Sequence, residues 1–275
     1  MGEVSAIAWT DATFNPWWGC TRVSPGCEHC YAEQLATVRR KLPVWGVDAD
    51  RKPMSEAYWR DPVKWNRKAE AEGVRRRVFC ASMADVFEMP PERNVQAWGV
   101  QNAARERLWR LIEATPWLDW LLLTKRPQNV RGLVPWTHGW PSNVWLGTTT
   151  EDQKRYDERW PILAEIPAAI HFISHEPALG PLEIRHHEGA RPDWVITGGE
   201  SGHGARYYDL AWARYVVEQC RAFGIAPFVK QLGADPIDGT AGCSVQLRDR
   251  KGGDPSEWPE ELRVQEFPRT TEAKP

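Results

Sequence analysis

Trp117-Leu118-Asp119-Trp120-Leu121-Leu122-Leu123-Thr124-Lys125-Arg126-Pro127 is an apolar run that stops at a polar cluster. Its length suits a buried strand, and the proline bars continuation. Residues 93–114 before it carry the spacing of a long amphipathic helix. The same unit recurs on both sides. Arg77 to Ser82 reads as a strand running into Met83–Phe87. Asn143 to Gly147 runs into Thr148-Thr149-Thr150-Glu151, and Ala169 to Ile173 into Ser174-His175-Glu176-Pro177. Trp194 to Thr197 runs into Gly198-Gly199-Glu200-Ser201-Gly202, and Pro227-Phe228-Val229 into Lys230-Gln231-Leu232-Gly233. Helices read over 152–165 and 210–223.

Strands alternating with helices imply a parallel sheet covered by helices. The expectation is an α/β fold, a full or partial (β/α) TIM-like barrel, with a doubly wound open sheet as the alternative. In such barrels function gathers where the strands end. Here those ends are polar in nearly every unit. The chain reads as one domain over 1–268. It carries a cysteine loop at 15–33, a helix from Tyr31 to Leu42, an irregular insertion at 43–75 and a flexible tail at 269–275.

Composition narrows the class. Of 275 residues, 42% are hydrophobic and 26% charged, the balance of an ordinary globular chain. A net charge of -2 gives no global basic field for nucleic acid. Met1 to Thr10 has no basic start and no long apolar core, so no signal peptide is expected. No apolar run reaches membrane-spanning length. The expected location is cytoplasmic. The seventeen tryptophans are scattered rather than interleaved with Lys and Arg, so they read as packing rather than as a stacking surface.

The chemistry concentrates in Asn15-Pro16-Trp17-Trp18-Gly19-Cys20 and Cys27-Glu28-His29-Cys30-Tyr31-Ala32. Cys20, Cys27 and Cys30 follow the spacing C-x6-C-x2-C, and Gly19, Pro25 and Gly26 make the segment a turning loop. Thiolates gathered this closely repel unless a metal neutralises them. Zinc in a closed structural site needs a fourth ligand. Iron–sulfur clusters are held by thiolates. A [4Fe-4S] cluster with three protein ligands keeps one iron open, the mark of a reactive site rather than a structural one.

Three close cysteines in a loop ahead of a series of β/α units resemble a radical S-adenosylmethionine enzyme, although the usual spacing there is C-x3-C-x2-C. A closer resemblance spans nearly the whole chain. The cysteine motifs, Leu123-Thr124-Lys125-Arg126-Pro127, Glu176-Pro177, Gly198-Gly199-Glu200-Ser201-Gly202, Lys230-Gln231-Leu232-Gly233 and Gly252-Gly253-Asp254-Pro255 are similar to the phage Gp37/Gp68-like family (DUF5131). The resemblance implies Cys20, Cys27 and Cys30 as cluster ligands, S-adenosylmethionine as cofactor and an electron donor as partner. It implies Thr124, Lys125 and Arg126 near the cofactor carboxylate, Glu151 or Glu176 near its ribose or ammonium, and Glu200 among the cofactor-binding residues. Gly198 and Gly199 would allow close approach, and Lys230 would hold an anion at the mouth. The phage association suggests a nucleic acid or nucleotide substrate. The rival expectation is a non-catalytic zinc- or nucleic-acid-binding protein. Catalytic residues and oligomeric state are not assigned from the sequence.

Overall fold

The computed structural model describes residues 4–137 and 139–269. Of the expected tail, 270–275 lie outside the described residues. Seven strands form one sheet: β1 (Ala12–Thr13), β2 (Arg76–Cys80), β3 (Leu118–Thr124), β4 (Val144–Thr149), β5 (Ile170–His175), β6 (Trp194–Gly198) and β7 (Ala226–Gln231). They lie side by side in chain order, and every pairing is parallel. The sheet curls into a half-barrel whose edges, β1 and β7, do not pair. The partial form of the expected barrel is therefore the one observed. A doubly wound sheet needs a reversal in strand order, and this order has none.

The helices are α1 (Asp61–Glu72), α2 (Val95–Glu113), α3 (Gln153–Ala164) and α4 (Leu210–Phe223). Local chemistry sets their limits. Asn94 and Asp152 accept from the backbone N–H groups of Ala97 and Arg155, at 3.1 and 2.8 Å, and so cap α2 and α3. Gly73 and Gly224 end α1 and α4 at φ 65° and 69°, a conformation that costs glycine nothing. The insertion at 43–75 holds α1 and a helical turn at Glu56–Trp59. The helix expected at Tyr31–Leu42 is one α-turn, Tyr31–Glu33, that widens into a π-helix at Gln34–Arg39. Among the described residues, no helix is long and apolar enough to cross a membrane.

Strand alternation divides the core. Val78, Trp120, Leu122, Leu146, Ile173 and Val195 point outward into the layer shared with the helices. Phe79, Leu121, Trp145, Phe172, Trp194, Ile196 and Phe228 point inward and, with Trp9, plug the concave side. Trp120, Trp145 and Trp194 are thus buried packing residues, as the sequence suggests. The inward parity continues past the plug. It carries Leu123, Thr149, Ser174, Glu176 and Lys230 to the concave side at the strand ends, where all five line one cavity.

Gly147 shows how tightly the plug fits. A Cβ there would lie 2.3 Å from the Phe172 ring. Gly147→Ala should therefore overpack the interior and destabilise the fold by about 1–3 kcal/mol, read as a lower urea midpoint. An unchanged midpoint would contradict this packing.

Candidate functional site

The cysteine loop is built from its buried start. Trp17–Trp18 pairs antiparallel with Lys52–Pro53. The Asn15 side chain, fully buried, accepts from Met83 N at 2.7 Å and donates to Ser82 Oγ at 3.1 Å. This fixes the loop to the end of β2. Gly19 then turns the chain at φ 118°, where a Cβ would sit 2.3 Å from the Val44 carbonyl oxygen. Few residues other than glycine tolerate such a φ, and this approach admits no side chain.

Two buried arginines hold the next residues. Arg51, 1% exposed, donates to both carboxylate oxygens of Glu88 at 3.0 Å and to Thr21 Oγ1 at 3.0 Å. Arg126 donates to Asp85 at 2.8 Å, to the Thr21 carbonyl at 2.7 Å and to Cys20 Sγ at 3.8 Å. Further along, Pro25–Cys27 forms a 3-10 turn. Its Gly26 N–H donates to Glu151 Oε1 at 3.1 Å. Arg206 ties the far side by bonding Glu28 at 2.9 Å, the Pro25 carbonyl at 3.0 Å and Glu200. His29 Nδ1 lies 2.8 Å from Glu200 Oε2.

Held this way, Cys20, Cys27 and Cys30 all line a cavity of about 570 Å³ at the C-terminal end of the sheet. All three are half-buried free thiols. Cys80 and Cys220 are buried, and Cys243 is exposed; none of these lines the cavity. Burial, reinforced by the Glu88 carboxylate, pushes the Cys20 thiol up to about 12 against the opposing pull of Arg126. Burial also raises Cys30. Both thiols are therefore protonated at neutral pH in the metal-free chain, and loading a metal would release those protons.

The donor set bears on what could bind. Among the described residues, no three or more His, Cys, Asp or Glu side chains converge closely enough to hold a metal ion. His29, inside the Cys-x2-Cys turn, is engaged by Glu200 instead. An iron–sulfur cluster is a wider body than an ion. Cys20, Cys27 and Cys30 are the three cysteines that line the cavity among the described residues.

The other sequence-expected residues divide into two groups. Lys125 lines the cavity, with Nζ 3.3 Å from Thr149 Oγ1. Glu176 and Lys230 line it as an ion pair at 2.9 Å, and Gly199 lines it through a glycine whose Cβ would collide with the Leu232 carbonyl at 2.8 Å. Thr124 and Arg126 also line it but, with Glu151 and Glu200, have their polar groups engaged by the scaffold. Thr124 donates to Asp85 at 2.8 Å. Arg126 is buried in the network above. Glu151, fully buried, pairs with Arg159 at 2.8 Å and does not line the cavity. That pairing outweighs desolvation and holds its carboxyl below the usual range. Glu200 lines the cavity but is committed to His29 and Arg206. Gly198 lies behind the wall, where a Cβ would meet Glu176 Oε1 at 3.1 Å. Sequence reasoning missed Arg51, Glu88 and Arg206, which stand in stretches without periodicity.

A family model described as a protein of unknown function (DUF5131) matches residues 4–258. No curated protein matches the chain, and no solved structure does.

Proposed function

From the premise that the chain belongs to the DUF5131 family of proteins of unknown function, we propose that it is a radical S-adenosylmethionine enzyme holding a [4Fe-4S] cluster on Cys20, Cys27 and Cys30. The observation that supports this reading is that these three cysteines, and no other among the described residues, line the same strand-end cavity. Bound together, cluster and cofactor would supply one-electron reductive cleavage of the S-adenosylmethionine sulfonium, which starts radical chemistry on a substrate.

The chain's own residues serve that chemistry in distinct ways. Lys125 has no carboxylate partner among the described residues, so its ammonium is available to the cofactor carboxylate. The Glu176 carboxylate, oriented by Lys230, can accept from an ammonium or a ribose hydroxyl. Gly199 lets this wall of the cavity pack directly on the Leu232 carbonyl and the Tyr208 side chain. The aromatic plug closes the floor and keeps water from that side. An external one-electron donor completes the reaction. The substrate class, on the phage association alone, is a nucleic acid or a nucleotide.

The test is product formation. After anaerobic reconstitution and reduction with dithionite, the chain should release 5′-deoxyadenosine from S-adenosylmethionine, measured by chromatography. Cys27→Ala should abolish release while its circular dichroism and melting remain those of the metal-free parent. A cluster-loaded parent that releases none would overturn the reading. A parent chain that folds only once it has taken up metal would point to a structural metal instead.

A further inference from the structure

We propose that the mouth of the cavity binds single-stranded nucleic acid, with Arg39, Arg40 and Lys41 on the phosphates and the Tyr31 ring against a base. The proposal rests on the catalytic reading above only for the strand's role as substrate. The binding itself needs no group held in the cavity.

The chain carries a net charge of -2, but the cavity is locally basic. Six Lys or Arg side chains and three carboxylates line it. Asp85 is taken by Arg126, Glu176 by Lys230, and Glu200 by Arg206 and His29. The carboxylates of the cysteine loop are taken as well: Glu28 bonds Arg206 at 2.9 Å and Glu33 bonds Arg22 at 2.8 Å. Among the described residues, Arg39, Lys125 and Lys251 line the cavity without a carboxylate partner. Lys125 is assigned above to the cofactor. Arg39 opens an exposed run, Arg39-Arg40-Lys41, whose last two residues lie outside the cavity and also lack a carboxylate partner among the described residues. A free mononucleotide would leave those outer cations unused, whereas a strand brings further phosphates to them.

Local winding presents the run. Ala36, fully buried, packs with Trp18 and Met83 and anchors the π-helix Gln34–Arg39. The Leu42 N–H then donates to the Ala36 carbonyl at 2.9 Å, and Lys41 takes φ 53° as the helix ends. Glycine is the usual residue in that conformation; here a cation stands there instead. Tyr31 begins the same helical segment, lines the cavity and is 56% exposed. Its hydroxyl donates to the Ser82 carbonyl at 3.0 Å, which holds the ring at the cavity wall. Trp45 lines the same cavity, half-buried. Unpaired cations beside aromatic rings suit a single strand, because every base has a π-face and the backbone has a charge at each step. A duplex keeps its bases stacked within and offers none to Tyr31.

Fluorescence anisotropy of a labelled oligothymidylate of about fifteen nucleotides, titrated with the metal-free chain, tests this. Binding should saturate and should weaken steeply between about 50 and 200 mM salt. A variant carrying Arg39→Gln, Arg40→Gln and Lys41→Gln should bind about tenfold more weakly. Its salt slope should fall by about 2, since each phosphate contact on a single strand contributes about 0.7. Tyr31→Leu should weaken binding about tenfold with the slope unchanged, and Tyr31→Phe, which keeps the ring, should bind like the parent. A control with Arg67→Gln, Arg110→Gln and Arg221→Gln removes the same charge from exposed sites that do not line the cavity, and should bind like the parent. A parent that does not bind, a rim variant that binds like the parent, or a control that loses as much as the rim variant would overturn the proposal. So would preference for a duplex of the same length, or displacement of the strand by thymidine monophosphate at equal concentration. None of these measurements needs iron, so failure here leaves 5′-deoxyadenosine release to judge the catalytic reading by itself.

Discussion

Glu88→Gln should lower the unfolding free energy by about 3–5 kcal/mol, the cost of leaving a buried charge without its partner. Glu88 is 1% exposed and accepts from both Nε and Nη2 of Arg51, which is itself 1% exposed. It also accepts from Gln101 Nε2 at 2.7 Å and stands 3.6 Å from Arg126. The amide keeps the shape and removes a charge that faces three buried guanidinium groups, those of Arg51, Arg105 and Arg126. The amide nitrogen also faces a donor where a carboxylate oxygen accepted, so the measured loss combines the lost charge with a lost hydrogen bond. Because Arg51 also bonds Thr21 and the carbonyls of Val44, Gly46 and Ala49, the damage should reach the cysteine loop, and iron uptake should fall with stability. Urea unfolding of the metal-free chain measures the effect. A loss below about 1 kcal/mol would show that the pair behaves like a solvated one and that the loop has another support.

The second large effect belongs to Gly19. Its φ of 118° is strained for any side chain, and a Cβ there would lie 2.3 Å from the Val44 carbonyl oxygen and 2.9 Å from the Arg51 side chain. Gly46 offers a matched control, with φ 119° and nothing within 4 Å of its Cβ position. Gly46→Ala should therefore show backbone strain alone, of about 1–3 kcal/mol. Gly19→Ala should add a clash that can be relieved only by moving the segment leading into Cys20. The expected result is a larger loss of stability than at Gly46, together with reduced iron uptake that Gly46→Ala does not show. Equal behaviour of the two variants would remove Gly19 from the account of the site.

The fold was legible where the signal is local. Strands such as Leu118–Thr124 announce themselves by apolar runs that end in polar or glycine residues, and α2 and α4 by their period. The three cysteines were legible because their types and spacing carry the chemistry. Much of what holds them was not. Arg126 reaches Cys20 across 106 positions, Gly26 reaches Glu151 across 125, and His29 reaches Glu200 across 171. No window of sequence contains both partners. Polar residues at strand ends were legible as a group. The partners each finds across the fold then decide its role: Lys125 and Arg126 are adjacent in sequence and both line the cavity, but Arg126 is held by Asp85 and the Thr21 carbonyl while Lys125 meets Thr149. The π-helix after Cys30 was also hidden, because Leu35 and Val38 suit either helical winding.

Iron and sulfide counted on the anaerobically reconstituted chain test the central claim most directly. The account predicts a brown protein with about four irons and four sulfides per chain, lost on substitution of Cys20, Cys27 or Cys30. A colourless chain that instead carries one zinc per molecule would contradict it.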